Sequence, residues 1–303
     1  MSSPIKIAEY SGFIGLNNLQ DPRFIKDNEL AKAINVDIND TGKVTSISSP
    51  VKISDNTFSN FFKSEKGILY AISNGNLVRI INDNLDYEII TSGFRNDFVS
   101  FAEYYDRIFV SDGHRIGNII NNDFKDFDTY QIDKYNVKIP AGNIIEVFRG
   151  RLYSAVYDYL YFSNVMKFHQ VKIPFGYIGF GSIITNLKSI NNGIYVSTVD
   201  DLFFLRGTKP DEFEKVHIAH IKVLPNSMVK LNTQAISDEL NIKQIINSYT
   251  SGEQFAVFFL TTDGIFCGLN NGRIFNIADG RYGKIPYGRT TSINSENKLI
   301  YLL

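Results

Sequence analysis

One phrase recurs along this chain, and it restricts the fold more than any other feature. A glycine or short polar turn leads into three or four apolar residues. A second polar turn follows, and then a second apolar run. The copies begin at Gly67-Ile-Leu-Tyr-Ala-Ile, Arg107-Ile-Phe-Val-Ser, Arg151-Leu-Tyr-Ser-Ala-Val, Gly193-Ile-Tyr-Val-Ser and Gly264-Ile-Phe-Cys-Gly, with a shortened copy at Lys298-Leu-Ile-Tyr-Leu-Leu. Successive starts lie about 40, 44, 42, 71 and 34 residues apart. Apolar runs this short, bounded by Asn, Asp and Gly, suit strands rather than helices. A unit of several short strands repeating every 40–50 residues or so is the pattern of a β-propeller, whose blades are four-stranded antiparallel sheets.

The copies fit that blade, read from the innermost strand outward. The first blade is expected over Phe58–Lys63, Gly67–Ser73, Asn76–Ile81 and Asp86–Ile90. The second takes Phe98–Glu103, Arg107–Val110, Arg115–Ile120 and Thr129–Ile132. The third takes Ile144–Phe148, Leu152–Val156, Tyr159–Ser163 and Gln170–Ile173. The fourth takes Ile184–Ser189, Ile194–Ser197, Leu202–Leu205 and Glu214–Ile218. The fifth takes Gln254–Leu260, Ile265–Cys267, Arg273–Ile277 and a weak outer strand near Lys284. The second strands are nearly continuous apolar runs, as expected where both faces of a sheet are covered.

The final copy supplies only Thr290–Ile293 and Leu299–Leu302, while Ile34–Ile38 and Val44–Ile53 flank a turn at Asn39-Asp-Thr-Gly42 near the other end. The reading is therefore an all-β propeller of six blades, with five or seven as alternatives. A composite blade would close it, with Val44–Ile53 pairing with Leu299–Leu302, since closure removes a sheet edge. Residues 1–33 form an arm outside the repeat. A short helix is expected there, capped by Asp27 and with Glu29 in its first turn. The long step of 71 holds a non-repeat insertion at about 219–251, with a weak helix or long loop from Ser237 to Ile246.

Bulk properties narrow the function classes. The 303 residues carry 31 basic and 32 acidic groups, a net charge of −1. No overall basic field draws the chain to nucleic acid or to an anionic membrane. Met1-Ser-Ser-Pro-Ile-Lys has neither the basic nor the apolar region of a signal peptide, and no apolar stretch approaches the roughly 20 residues of a membrane helix. Synthesis in a cytoplasm, with no membrane insertion, is the expectation. The one cysteine, Cys267, lies in an apolar strand and reads as a small core residue.

Motifs that carry chemistry are sparse. No GxxxxGK[ST], GxSxG, HExxH or EF-hand loop occurs. Of the four histidines, only His217 and His220 are close. Residues three apart on one strand face opposite sides, so that pair is not expected to share a metal ion. Carboxylates that could reach a central channel are Glu103, Asp106, Asp112, Glu146, Asp200, Asp201 and Asp263. Most fall in hairpin turns, where Asp is favoured for backbone reasons. Glu103 and Glu146 lie near innermost strands and could act as an acid and base if suitably spaced; a polar channel lining is the plainer use. Tyr104-Tyr105 and Tyr157–Tyr161 sit partly at turns and are the best candidates for exposed aromatic contacts. No catalytic, cofactor-binding or metal-binding residue is assigned, and no enzymatic activity is expected.

One stretch resembles a known family. Gly15-Leu-Asn17-Asn18-Leu-Gln-Asp21-Pro22, then Glu29-Leu30 through Asn35-Val36-Asp37-Ile, then Asp40-Thr-Gly42-Lys43-Val are similar to the opening of a family of tailed-bacteriophage virion β-propeller proteins. Gly193-Ile-Tyr-Val, Thr261-Thr-Asp263-Gly264-Ile, Gly272-Arg-Ile-Phe-Asn276 and Leu299-Ile-Tyr-Leu extend the likeness. Around Thr45–Pro50 the chain departs from the family's Arg-rich stretch. The resemblance implies a structural subunit of the phage tail or head–tail junction, like a hub or nozzle. Its expected partners are copies of itself in a ring, with a hexamer favoured, and other tail or portal-proximal proteins. Passive passage of DNA through the ring is compatible with that role. The expected location is the virion, after synthesis in the host cytoplasm. It implies no cofactor and no catalytic residue.

Two other functions compete. One is a propeller glycoside hydrolase or carbohydrate-binding protein. The other is a cytoplasmic interaction propeller, disfavoured because the chain lacks the Gly-His and Trp-Asp signatures and contains no Trp at all.

Overall fold

Five four-stranded antiparallel sheets make up the body of the computed structural model. It describes residues 12–13, 15–34, 36–38, 42–46, 51–95, 98–232, 255–277, 285, 291–295 and 298–302. The first sheet comprises Ser59–Lys63, Leu69–Ser73, Asn76–Ile80 and Tyr87–Ser92. The second comprises Ser100–Tyr104, Arg107–Ser111, Ile116–Ile120 and Asp123–Asp126. The third comprises Ile144–Phe148, Arg151–Val156, Tyr159–Phe162 and Tyr177–Gly179. The fourth comprises Ile184–Ile190, Gly193–Thr198, Leu202–Arg206 and Glu214–Ala219. The fifth comprises Val229–Asn232, Phe255–Thr261, Gly264–Gly268 and Ile274–Asn276. The only helical turns among the described residues are two short 3₁₀ segments, Phe127–Thr129 and Pro210–Glu212.

The sheets pack face to face in chain order, which makes the fold a β-propeller. Alternation along each second strand sends successive side chains to opposite neighbours. Tyr70 and Ile72 of the first sheet pack on Ile108 and Val110 of the second. Phe109, between those two, turns the other way and packs with Ile145, Val147 and Leu152 of the third. Tyr153 and Ala155 then meet Leu187, Ile194 and Val196 of the fourth. Tyr195 and Phe204 meet Val257 and Phe259 of the fifth. Each such side chain contributes roughly 1.5–3 kcal/mol when fully buried, so the inter-sheet layers hold the molecule together. Polar bonds add direction between sheets. Ser111 Oγ donates to Gly142 O at 2.7 Å, and Tyr195 OH donates to Leu269 O at 2.6 Å.

The innermost strands of the second, third, fourth and fifth sheets lie against one another in sequence. The first joins this inner layer through Phe62, whose ring stacks on Phe101 at 5.1 Å.

Several expectations are corrected. The outer strand of the second sheet is Asp123–Asp126, not Thr129–Ile132. Asp126 ends it and caps the 3₁₀ turn, its carboxylate accepting the Asp128 N–H at 3.0 Å. In the third sheet the outer strand is Tyr177–Gly179, while Gln170–Lys172 pairs with Asn136–Lys138 in a separate ribbon. In the fifth, Phe255–Thr261 is the second strand, and the innermost is Val229–Asn232. The insertion expected over 219–251 is thus partly blade. Val223 and Leu224 are fully buried, and Leu224 N–H donates to Leu260 O at 2.9 Å. Residues 233–254, which separate the first two strands of the fifth sheet in sequence, lie outside the described residues. The helix expected from Ser237 to Ile246, and the outer strand near Lys284, fall outside the described residues.

The N-terminal helix is also replaced. Glu29–Leu30 forms a short parallel bridge with Gly15–Leu16. The Glu29 carboxylate, instead of facing a helix N-terminus, accepts from Asn17 Nδ2 at 2.9 Å and from the Lys26 N–H at 3.3 Å. Both Asn17 and Glu29 are buried. Phe13 N–H donates to Gly42 O at 2.9 Å, so the described part of the arm packs on the turn that follows it.

The composite blade is not found among the described residues. Val36–Ile38 pairs with Val44–Ser46, Thr291–Ser295 pairs with Lys298–Leu302, and these are two separate ribbons. Val51–Ile53, expected to extend the pairing strand, is not in a strand, and Val51 and Ile53 are 83% and 61% exposed. Without a burial partner for its apolar side chains, that segment gains nothing from a ladder.

Candidate functional site

Glu103 and Glu146 lie on innermost strands, as the sequence places them, and each is used to join neighbouring sheets. Glu146 Oε1 accepts from Ser189 Oγ at 2.8 Å, and Oε2 lies 2.9 Å from Lys188 Nζ. Glu103 Oε2 accepts the Glu65 N–H at 2.8 Å. Burial pushes the Glu103 carboxyl above its ordinary value, with the Glu65 N–H pulling the other way. Lys230, on the innermost strand of the fifth sheet, is pushed down by burial, with Glu146 opposing. The inner layer therefore carries half-buried charges of both signs.

The turn aspartates are engaged in local turn bonds and ion pairs. Asp112 is buried, and its carboxylate accepts N–H bonds from Arg95, His114 and Arg115 at 2.8, 2.9 and 2.6 Å. Asp106 pairs with Lys66, Asp200 lies 3.3 Å from Lys222, and the Asp263 N–H donates to Thr261 Oγ1 at 3.1 Å. Cys267 is fully buried in the fifth sheet.

His217 and His220 turn to the same side, unlike residues three apart on a regular strand. Pairing between the third and fourth strands of the fourth sheet shifts register. Phe203 faces His217, yet Leu202 faces Ala219, so Ile218 is skipped. Such a bulge changes which side the following residues face. The two imidazoles come to 4.5 Å between ring centroids, and both reach the same atom. His217 Nε2 is 2.8 Å from Asp201 Oδ1, and His220 Nδ1 is 2.5 Å from it. Asp201 belongs to the hairpin turn, where its N–H donates to Thr198 Oγ1 at 3.2 Å. The His217 hydrogen bond holds its carboxyl below the usual carboxylate value, with burial opposing and His220 assisting. Period-two reasoning missed this cluster, because a single skipped residue cannot be read from an apolar pattern.

Aromatic exposure follows the sequence reading. Tyr105 and Tyr157 are 77% and 75% exposed. Tyr159, Tyr161 and Tyr177 contact one another on the outer strands of the third sheet. Phe175, 75% exposed in the turn before Tyr177, extends this edge, a residue the sequence reading did not single out. Between the third and fourth sheets, Arg149, Arg151, Val165, Thr208 and Lys209 line an open cleft of about 400 Å³. Its cations are engaged: Arg149 and Arg151 donate to the carbonyls of Asn191 and Ser163, and Lys209 lies 3.3 Å from Glu212.

No family model and no curated protein matches this chain. Solved structures do. BBS1N, determined in complex with ARL6DN, superposes with a TM-score of 0.51 at 10% identity, over 86% of this chain and 79% of that one. Virginiamycin B lyase from Staphylococcus aureus gives 0.45 at 13% identity, over 79% and 75%. The extracellular domain of a one-component system from B. thetaiotaomicron gives 0.47 at 14% identity, over 74% of this chain, which spans only 28% of that larger one. At these identities the likeness is one of fold alone.

Proposed function

We propose that this chain is a structural subunit of a tailed-phage virion, a tail or head–tail junction propeller that assembles through contacts with copies of itself. The observation that carries the reading is the aromatic edge of the third sheet. Phe175, Tyr177 and Tyr159 are 75%, 43% and 41% exposed on or beside the two outer strands of this sheet, and Tyr157, 75% exposed, sits in its hairpin turn between the second and third strands. Exposed large aromatics concentrated on one edge favour a protein contact, where Tyr and Phe bury much area at little entropic cost. Two further points support it. The phage-like motif residue Asn17 is committed to a buried bond with Glu29, which suits a structural motif. Glu103 and Glu146, the carboxylates best placed for hydrolysis, serve as links between blades.

The test compares the purified chain with a Tyr157→Ser, Phe175→Ser, Tyr177→Ser variant by sedimentation velocity, and scores incorporation of each into particles. The wild type is expected to assemble. The variant should remain monomeric, with an unchanged far-UV spectrum, and be excluded from particles. A wild type that stays monomeric at tens of micromolar, together with normal incorporation of the variant, would overturn the reading. Turnover of a glycan panel that Glu146→Gln abolishes would put the hydrolase ahead.

A further inference from the structure

We propose that Asp201, His217 and His220 form a surface site for a divalent transition-metal ion, with Zn²⁺ the best match. Two imidazole nitrogens and one carboxylate oxygen converge, all within 4.8 Å of one another. Imidazole with carboxylate is a common donor set for zinc, and it leaves one position of a tetrahedron open.

The distances allow an ion to enter. Donors on one tetrahedral ion, at roughly 2.0–2.1 Å from it, lie about 3.3 Å apart. Here Asp201 Oδ1 is 2.8 Å from His217 Nε2 and 2.5 Å from His220 Nδ1, so the donors need separate only slightly. His220 can supply that movement, because its side chain is 84% exposed. His217 and Asp201 are more fixed. The His217 ring rests against Phe203 at 5.2 Å, and Asp201 is bonded within its hairpin turn. Two rigid donors and one mobile donor suit a site that closes on its ion.

Charge and protonation also suit a cation. A neutral imidazole carries one N–H, so in this arrangement His217 bonds Asp201 through Nε2–H and His220 through Nδ1–H. A metal ion can bind the same three atoms once each ring carries its proton on the other nitrogen, Nδ1 of His217 and Nε2 of His220, which leaves a lone pair on each ligating nitrogen. The ammonium of Lys222, two residues past His220, lies 3.3 Å from Asp200, which offsets its charge. Binding would tie the end of the fourth sheet's outer strand to the hairpin turn beside it. The open position would hold water or a donor from a neighbouring molecule.

The experiment is a calorimetric titration of the metal-free 303-residue chain with Zn²⁺ alone, in a buffer that does not bind metal. One ion per chain is expected. His217→Ala and His220→Ala should each weaken binding by at least about tenfold, the scale set by losses of supporting groups at metal sites. His114→Ala and His169→Ala should leave it unchanged. Because His220 is so exposed, His220→Ala should keep the wild-type melting temperature without metal, which separates lost ligation from lost folding. In the Co²⁺-loaded chain, visible absorption should change on His220→Ala. Binding absent below millimolar Zn²⁺, or indifferent to both His217 and His220, would overturn the assignment.

Discussion

Lys188 Nζ lies 2.9 Å from Glu146 Oε2, and this ion pair links the innermost strands of the third and fourth sheets. The side chains are 30% and 12% exposed, so water screens the pair only partly. The other oxygen of Glu146 is bonded to Ser189. Glu146→Gln keeps the shape but removes the charge that both donors face. Hydrogen bonds to a charged group contribute about 1.5–3 kcal/mol each, and a stranded donor adds its own desolvation cost. The expected loss is about 1–3 kcal/mol in urea denaturation. Adding Lys188→Met to Glu146→Gln should recover part of it, because no buried ammonium is then left unpaired. Equal stability of wild type and Glu146→Gln would mean that solvent already screens the link.

What the sequence showed and hid follows from burial. Second strands such as Leu69–Ser73 and Gly193–Thr198 are covered on both faces, so their apolar runs stand out. Outer strands are not. Asp123-Phe-Lys-Asp126 alternates exposed and half-buried residues over four positions, a pattern any surface turn can imitate. The neighbouring Thr129–Ile132 looked more strand-like, but the Asp126 cap ends the ladder before it. The fifth sheet was misread for a topological reason, since the long connection falls between its first two strands and hides Val229–Asn232. Candidate residues on regular strands, Glu103 and Glu146, were placed correctly. The His217–His220 pair was not, because it depends on the skipped residue Ile218.

Tyr153 offers a prediction of the opposite sign. Its ring is fully buried among Phe148, Phe162 and Phe213, and its hydroxyl finds no hydrogen-bond partner among the described residues. Burial pushes the phenol far above its ordinary value. A buried donor without a partner costs about 1–3 kcal/mol. Tyr153→Phe should therefore be neutral or stabilising by up to about that amount, read as a higher melting temperature. A drop of several degrees would show that the hydroxyl is satisfied by bound solvent.

His169 makes stability depend on pH. Burial pushes its imidazole below the ordinary value of 6.5, with its Gln131 carbonyl contact and Asp133 opposing and Lys167 assisting. The ring stacks on Tyr130 at 4.8 Å, which keeps it from rotating outward. Well above pH 6.5 the residue is neutral in both states and contributes no slope. As pH falls through 6.5 the unfolded chain takes up its proton first, so stability is lost until the folded residue titrates too. The difference in unfolding free energy between wild type and His169→Gln, measured from pH 8 to pH 5, should stay flat above pH 7. Below it, the wild type should lose ground. A difference that is constant across the range would remove His169 from the pH response.

Two of the three glycines that open copies of the repeat, Gly67 and Gly193, should fail differently when given a side chain. Gly67 has φ +79°, a left-handed conformation, and a Cβ there would meet nothing within 4 Å. Gly67→Ala therefore incurs only backbone strain, about 1–2 kcal/mol. Gly193 has no such φ, but its Cβ would stand 2.2 Å from Leu205 O and 2.6 Å from the Phe204 ring. Leu205 O belongs to the adjacent strand, paired with Gly193-Ile194 in the ladder, and Phe204 packs into the layer against the fifth sheet. Neither can retreat without opening a ladder or a core, and overpacking of that kind costs about 1–3 kcal/mol or more. Gly193→Ala should thus be the more damaging change. Gly67→Asn should recover part of the Gly67→Ala loss, because Asn tolerates left-handed backbone, whereas no residue larger than glycine should be tolerated at 193. Urea denaturation of the three variants decides it. If Gly67→Ala proves the worse, backbone conformation, not the closeness of the neighbouring strand, is what fixes glycine at the start of the repeat.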